Sequence, residues 1–380
     1  MKQVCLRGAA VTFGLTLGLA AVPSVAYAQT SVACGDSAGL ITVIQNAASG
    51  DTISLAKGCT YAFGSAFDGG GNALPPITKK LTIKGEGSAL VRSNRGSLFR
   101  LLKVAQSGDL TLDGIEISAG HTGTDGGGIA NEGKLTLVRS EVTGNTADQD
   151  GGGISNEGGT VTLRDSSVAG NTALSRAADD GGGLSNNNAG TLTLKHTSVI
   201  GNTADQDGGG IDNKGVLSIE DSTFSGNTAR DDDGGAINNS GTGSVTVKGS
   251  KIVDNVAGLD GGAINNGEQA KLDIWDTDLS ENISGNDGAA VNNEGTATLT
   301  KTEVTKNSAG RDGGGINNEA KGSPAHLTLN HSRVTDNVAA RNGGGINNQT
   351  GASVTLNDSQ VVRNRPNNCL PLITIAGCQN

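Results

Sequence analysis

Apolar and polar residues alternate along most of this chain, and the alternating segments return with a long period. A Gly-rich phrase that ends in Ile-x-Asn is first clear at residues 125–131 and recurs eight more times. Its apolar residue falls at Ile129, Ile154, Leu184, Ile211, Ile237, Ile264, Val291, Ile316 and Ile346. These positions are 25 to 30 residues apart, a period typical of a solenoid whose repeats bury their apolar faces against their neighbours.

Three short segments in each repeat have the alternation that predicts a strand. The Ile-x-Asn phrase is the first, Leu135-Thr136-Leu137 begins the second series, and Ser140 to Asn145 begins the third. The second and third segments keep one spacing in all nine repeats, whereas the corner between the first and second varies, and its longest excursion is Glu319 to His326. Three strands in so few residues do not fit a propeller blade, which needs four strands and about 40 residues. They predict one coil of an all-β parallel β-helix.

Equivalent positions of a parallel β-helix stack about 4.8 Å apart and form ladders. We expect inward apolar ladders through Ile129, Leu137 and Val142, and a Ser/Thr ladder that begins at Ser140. Two Asn ladders, from Asn131 to Asn348 and from Asn145 to Asn364, are predicted at corners. Stacked amides bond along the axis, and Asn tolerates the left-handed backbone of a corner.

The regular repeats are preceded by half-matching segments, so we expect about eleven coils over residues 51–365. An N-terminal cap over residues 29–50 is predicted to hold a helix near Asp36 to Ala48, with Asp36 as its N-cap. Residues 1–28 have a basic start, an apolar run and a small-x-small cleavage site at Ala26-Tyr27-Ala28, which predict an export signal.

Four cysteines, Cys34, Cys59, Cys369 and Cys378, follow the predicted signal. An even number in an exported chain predicts two disulfides, for which three pairings exist. We favour Cys34–Cys59 and Cys369–Cys378, because each pair then closes one end of the solenoid, the second within a C-terminal cap over residues 366–380.

The composition is acidic, with a formal net charge of −10 at pH 7. That charge disfavours nucleic acid and anionic lipid as partners. After the signal, no apolar run is long enough to span a bilayer. We therefore expect a protein that is secreted or held at the cell surface.

Two motifs of the repeats resemble a known family. Gly234-Gly235-Ala236-Ile237 and Gly261-Gly262-Ala263-Ile264 match the GGA[I/L/V] half of the polymorphic outer membrane protein repeat, and Phe224-Ser225-Gly226-Asn227 matches its FxxN half. The resemblance covers about residues 125–364, in a relaxed GGGI and VxxN form. The segment from Cys34 to Tyr61 also resembles the first part of exported bacterial right-handed β-helix proteins. The resemblance implies a right-handed coil and a surface or secreted protein with a role in adhesion.

An Asp stands before most of the Gly triplets, and stacked carboxylates attract cations. Candidate Ca²⁺ ligands are Asp150, Asp180, Asp207, Asp233 and Asp260. The alternative is turn chemistry, in which each Asp accepts backbone N–H bonds before the Gly.

Polysaccharide lyases and hydrolases also use this fold, and their sites need outward acids beside a base. The outward slot of the first strand reads Ala, Ser, Ser, Asp, then Asn to the end, so Asp212 is its only acid and it holds no base. We interpret Asp212 as a variant of an Asn column. The sequence favours a non-catalytic binding or structural protein, with a glycan or a cell-surface or matrix protein as partner and no cofactor other than candidate Ca²⁺. A polysaccharide-active enzyme is the alternative.

Overall fold

The computed structural model describes residues 29–94, 96–175, 180–371 and 375–378, and these form a parallel β-solenoid. The predicted export signal, residues 1–28, lies outside the described residues. Every paired strand named in the three sheets runs parallel to its neighbours, and equivalent residues of successive repeats lie opposite each other, as for Ile154 and Leu184. The predicted all-β parallel β-helix is confirmed, while the right-handed coil stays an expectation from the resemblance.

Wall 1 is an 11-stranded sheet built from the Ile-x-Asn phrase. Its strands are Leu102–Val104, Ile129–Asn131, Ile154–Glu157, Leu184–Asn187, Ile211–Asn213, Ile237–Asn239, Ile264–Asn266, Val291–Asn293, Ile316–Asn318, Ile346–Asn348 and Cys369–Leu370.

Wall 2 is a 23-stranded sheet that bends at the fixed corner, so most coils contribute two strands to it. Those before the bend, or spanning it, are Gln29–Val32, Thr52–Leu55, Lys80–Arg92, Asp109–Ser118, Lys134–Val138, Thr160–Arg164, Thr191–Lys195, Val216–Glu220, Ser244–Lys248, Lys271–Trp275, Thr296–Thr300, His326–Asn330 and Ser353–Asn357. Those after it are Thr60–Phe63, Glu141–Thr143, Ser167–Ala169, Ser198–Ile200, Thr223–Ser225, Lys251–Val253, Asp278–Ser280, Glu303–Thr305, Arg333–Thr335 and Gln360–Val362.

Wall 3 is a nine-stranded sheet of two-residue strands that the sequence did not predict. These strands follow the second Asn ladder and are His121–Thr122, Thr146–Ala147, Thr172–Ala173, Thr203–Ala204, Thr228–Ala229, Val256–Ala257, Ile283–Ser284, Ser308–Ala309 and Val338–Ala339. Two residues are too few to show an alternation, so each regular coil has one more strand than the pattern indicates.

The core is a continuous column of stacked aliphatic side chains inside the three walls. Ile129, Leu137 and Val142 are fully buried, as are most of their equivalents, which confirms the inward ladders. One coil exposes its apolar side chains more than the others, since Val354 and Leu356 of the Ser353–Asn357 strand are only partly buried. Core area is supplied by many thin layers, each of which depends on the coil above and below it.

Both Asn ladders are confirmed as chains of hydrogen bonds along the axis. In the second ladder, Asn227 Nδ2 donates to Asn255 Oδ1 at 2.9 Å, and its Oδ1 accepts from Asn202 Nδ2 at 3.0 Å. The expected backbone conformation was wrong, however. In the second ladder the left-handed residue is the one before the Asn, such as Gly226 with φ +62° or Asp254 with φ +57°.

The ends of the solenoid carry the predicted closures. The helix spans Ser37–Asn46, and the Asp36 side chain caps it by accepting from the Gly39 N–H at 2.8 Å. A 3₁₀ turn at Phe67–Gly69 is the second helical element of the described residues. Both favoured disulfides, Cys34–Cys59 and Cys369–Cys378, are present. No helix among the described residues is long and apolar enough to cross a membrane.

Candidate functional site

The outward column of wall 1 forms the floor of a groove and is a third ladder of amides. Asn347, Asn317, Asn292 and Asn265 each donate from Nδ2 to the Oδ1 of the preceding member, at 2.8 to 3.0 Å. Asn238 ends the series by donating to Asp212 Oδ1 at 2.9 Å. All the donors therefore run toward one carboxylate. Asp212 lies in the same register as the Asn residues, so its interpretation as a variant of that column is confirmed.

This floor is buried, although the alternation predicted a slot that faces outward. Asp212 and Asn292 are 0% exposed, because acidic side chains from both rims lean over the column. Asp233 Oδ2 accepts from Asn265 Nδ2 at 3.2 Å on one side, and Glu294 Oε1 accepts from Asn292 Nδ2 at 3.1 Å on the other. Alternation along a strand indicates which side chains point away from the core, but not whether other side chains cover them.

The first rim is the column of Asp residues before the Gly triplets. Most of these carboxylates accept a backbone N–H from the next coil: Asp233 Oδ1 accepts from the Asp260 N–H at 2.8 Å, and Asp260 Oδ1 from the Asp287 N–H at 3.0 Å. Equivalent bonds join Asp125 to Asp150 and Asp207 to Asp233, both at 3.2 Å. The acceptor role expected of a turn Asp is present, but it links neighbouring coils rather than closing the Asp's own turn.

Burial makes this rim reluctant to ionise. Loss of solvent is the main cause that raises the pKa of Asp207 to about 8 and those of Asp180 and Asp233 to about 7. Neighbouring carboxylates add to the rise, Asp212 and Asp232 in the case of Asp207. The pKa values of Asp260 and Asp287 are raised for the same main reason. A bound cation would relieve both the repulsion and part of the desolvation cost.

Three carboxylates of the rim converge. Asp207, Asp232 and Asp233 each place one oxygen within 4.8 Å of the others. They line an open cleft of about 490 Å³ together with Asn238, Glu268, Glu294 and neighbouring residues. The structure thus brings together two of the five candidate Ca²⁺ ligands, Asp207 and Asp233. Asp150, Asp180 and Asp260 lie outside this group of described acids. Oxygen ligands of this kind suit Ca²⁺.

Asp232 is the third carboxylate of the group, and the sequence feature that could have indicated it is a local run of Asp residues. Residues 231–233 read Asp-Asp-Asp, the only such triplet in the chain. The repeat slot itself contains only Asp233, so a search restricted to equivalent positions misses the third carboxylate.

The second rim comes from the variable corner, which brings a cation to the acids. Lys321, in the longest excursion, lies between Glu294 and Glu319, with Nζ 2.5 Å from Glu294 Oε1 and 3.5 Å from Glu319 Oε1. The Coulomb influence of Lys321 also reaches Asp232 and Asp233. The outward slot of the strand holds no base, as the sequence indicated, and this cation comes instead from an insertion at the corner. Burial lowers the pKa of Lys321, but the hydrogen bond to Glu294 and the charges of Glu294 and Glu319 together outweigh it and raise the pKa, so the side chain stays protonated.

A comparison with known protein families agrees with the repeats. The Chlamydia polymorphic membrane protein repeat matches residues 221–240, which include the FxxN and GGAI motifs of one coil. The crystal structure of pectate lyase Pel9A is similar over 89% of this chain and 80% of that one, with 15% identity and a TM-score of 0.48. No curated protein matches the sequence significantly. The chain is a parallel β-helix protein with polymorphic membrane protein-like repeats.

Proposed function

We propose that this chain is a surface or secreted binding protein without a catalytic centre, and that it contacts a partner through the wall 1 groove and its variable corner. The observation that carries the proposal is the state of the groove's polar groups. The floor amides are occupied with one another, and Lys321 is held by two carboxylates. Such groups can recognise a partner at the rim, and the paired Lys321 ammonium is not available as a deprotonated amine base.

The polymorphic membrane protein repeat supports a place at the cell surface, since that family suggests an outer-membrane or surface protein. Export through a signal in residues 1–28 is part of the proposal. Adhesion to a glycan or to a cell-surface or matrix protein is the role we propose for the groove.

The corner that carries Lys321 offers a direct test of partner binding. Replacing residues 319–325 with Glu-Gly, the corner of the preceding coil at Glu294-Gly295, shortens the rim while keeping the repeat. We expect the secreted chain to bind cells or an extracellular matrix panel and the shortened variant to bind at least about tenfold more weakly. A matched control replaces exposed Asp273 of wall 2 by Asn. Equal binding by all three proteins would remove the groove rim from the proposal, and no binding by the unaltered chain would end it.

We also propose that Asp207, Asp232 and Asp233 hold Ca²⁺. When bound, the ion would supply positive charge where three carboxylates repel. Titration calorimetry with Ca²⁺ should show one site that is lost in D232N and kept in D273N. Equal heats for D232N and the unaltered chain would place the ion elsewhere.

A polysaccharide-active enzyme is the second candidate, and one observation favours it: the charge of Lys321 acts on two of the three carboxylates, Asp232 and Asp233. Incubation with acidic and neutral polysaccharides, with and without Ca²⁺, separates the candidates by the appearance of new chain ends. New ends that vanish in D207N or D212N would replace binding by catalysis. The raised pKa of Lys321 leads us to expect none.

A further inference from the structure

A second pocket lies at the N-terminal coils, away from the acidic cleft. It has a volume of about 400 Å³ and is lined by Phe67, Gly70, Asn72, Pro76, Arg100 and Lys103. Lys103 occupies the outward column of wall 1, four coils before Asp212. At the spacing of stacked coils, that separation is roughly 19 Å. The pocket is at the small end of the range for ligand sites, which is about 300–1,000 Å³.

Arg100 is the unusual residue of this pocket, because it is half-buried and its side-chain hydrogen-bond partners are neutral. Its guanidinium donates to Asn72 Oδ1 at 3.4 Å, to Thr122 Oγ1 at 3.5 Å and to Thr124 Oγ1 at 2.5 Å. Among the described residues, no carboxylate oxygen lies within 4 Å of it, and its Nε is buried without a hydrogen-bond partner. Burial lowers the pKa of Arg100. A carboxylate is the partner that a planar guanidinium binds best.

The charge around the pocket limits what it accepts. Lys103 pairs with Glu132 at 2.7 Å, and Asp125 and Glu132 both act on Arg100 through space. Two cations are therefore balanced by two nearby acids. A single carboxylate can be accommodated against Arg100, whereas a dianionic phosphate or a polyanion would meet the acids as well.

Phe67 supplies a half-buried aromatic side chain to the same pocket. Of the aromatic side chains in the described part of the chain, Tyr61, Phe63, Phe99 and Phe224 are buried in the core. Only Phe67 and Trp275 reach solvent. The 3₁₀ turn that carries Phe67 is tied to the pocket by its N–H, which donates to the Asn72 carbonyl at 2.7 Å. The electron-rich ring face suits the C–H side of a sugar ring.

We propose that this pocket binds a sugar ring that bears one carboxylate, such as a terminal uronic acid, with the carboxylate on Arg100 and the ring against Phe67. Lys103 is placed to donate to a ring hydroxyl or to the same carboxylate. The site deepens the proposed binding function and rests on it, since it names the chemical class of one glycan partner. It does not involve the acidic cleft or its candidate Ca²⁺ ligands.

Two probes that differ only at the relevant group test the proposal on the full secreted chain. Methyl β-glucuronide carries the carboxylate, and methyl β-glucoside has a hydroxymethyl group in its place. We expect ligand-observed NMR to detect the glucuronide alone. R100Q and F67A should each weaken its binding at least about tenfold, while R333Q, which removes one exposed charge from wall 2, should leave it unchanged.

Further measurements distinguish a loss of folding from a loss of binding, and distinguish failure of this pocket from failure of the proposed function. Circular dichroism identifies an R100Q variant that fails to fold, in which case K103Q, at a partly exposed side chain, takes its place with the same expectation. Equal binding of both probes, or of the glucuronide to all variants, would overturn the acidic-sugar site. Cell or matrix binding that persists without glucuronide binding would leave the proposed function standing and remove only this site. Glucuronide binding without cell or matrix binding would leave this site standing and remove the proposed function.

Discussion

Replacing one amide in the middle of the second Asn ladder should destabilise the solenoid far more than replacing an exposed amide. Asn227 is 0% exposed. Its Nδ2 donates to the Val199 carbonyl and to Asn255 Oδ1, both at 2.9 Å, and its Oδ1 accepts from the N–H and Nδ2 of Asn202 at 3.1 and 3.0 Å. N227A removes all four bonds and leaves the buried Asn202 N–H without its acceptor.

The expected cost follows from those contacts. A buried hydrogen bond contributes about 1 kcal/mol, and an orphaned buried donor costs roughly 1–3 kcal/mol. Because some of the freed groups keep a second partner, such as Asn202 Nδ2 with the Val168 carbonyl at 3.0 Å, we expect N227A to lower the free energy of unfolding by about 3–5 kcal/mol. N227D keeps both acceptor roles but sets a buried charge against two oxygens, so it should be worse at neutral pH and partly recover in acid.

Urea unfolding followed by circular dichroism measures these differences. N357A is the matched control, because exposed Asn357 makes one amide–amide bond, to Asn330 Oδ1 at 2.8 Å, and should cost at most about 1 kcal/mol. A repeat protein can unfold in parts, so the slope of the transition must be compared as well as its midpoint. If N227A and N357A cost the same, the ladder would be a consequence of stacking and not a source of stability.

Three further changes test other parts of the molecule. Asp233 holds its proton more tightly in the folded protein than in the unfolded chain, where its pKa is near 3.8. Stability from the protonated side chain is therefore present below that pH and is lost as the pH rises through about 7. D233N should therefore raise the unfolding free energy at pH 8 by on the order of 1–2 kcal/mol and leave it unchanged near pH 3, as read from parallel urea titrations. K321M leaves Glu294, which is 7% exposed, without its cation and should cost about 1–3 kcal/mol at neutral pH; an unchanged thermal midpoint would contradict the ion pair's role. D254G places glycine at a left-handed position, φ +57°, whose equivalent in the preceding coil is already a glycine, Gly226. It should stabilise by about 0.5–1 kcal/mol in the same assay, whereas a loss would show that the Asp side chain matters.

The sequence predicted those parts of the fold that depend on equivalence between repeats. Ile129 and its equivalents recur in one slot, and parallel stacking turns a recurring slot into a ladder, so burial and the amide bonds of Asn131 and Asn145 follow. The helix cap at Asp36 was predictable for a different reason, because its chemistry is local.

The parts that were not predicted depend on chain segments without a counterpart in other coils. Lys321 comes from an excursion that no other repeat contains, so no period indicates where its side chain lies. The burial of Asp212 depends on side chains that cover the column from outside, which the alternation along one strand does not indicate. The Phe67 and Arg100 pocket lies in the half-matching coils, where Asn72 and Arg100 meet through an isolated bridge instead of a repeated strand.

Ladder residues and residues in unique segments are constrained differently, and the difference indicates which of them can take part in binding. A ladder residue is bound on both sides by its own equivalents, so a change there costs stability before it can alter recognition. A residue in a unique segment, such as Lys321 or Phe67, has no such partners and can differ without breaking the stack. Polar, charged or aromatic side chains in these segments are therefore free to be selected for binding. Both proposed contact regions, the variable rim of the groove and the N-terminal pocket, are built largely from residues of this second kind.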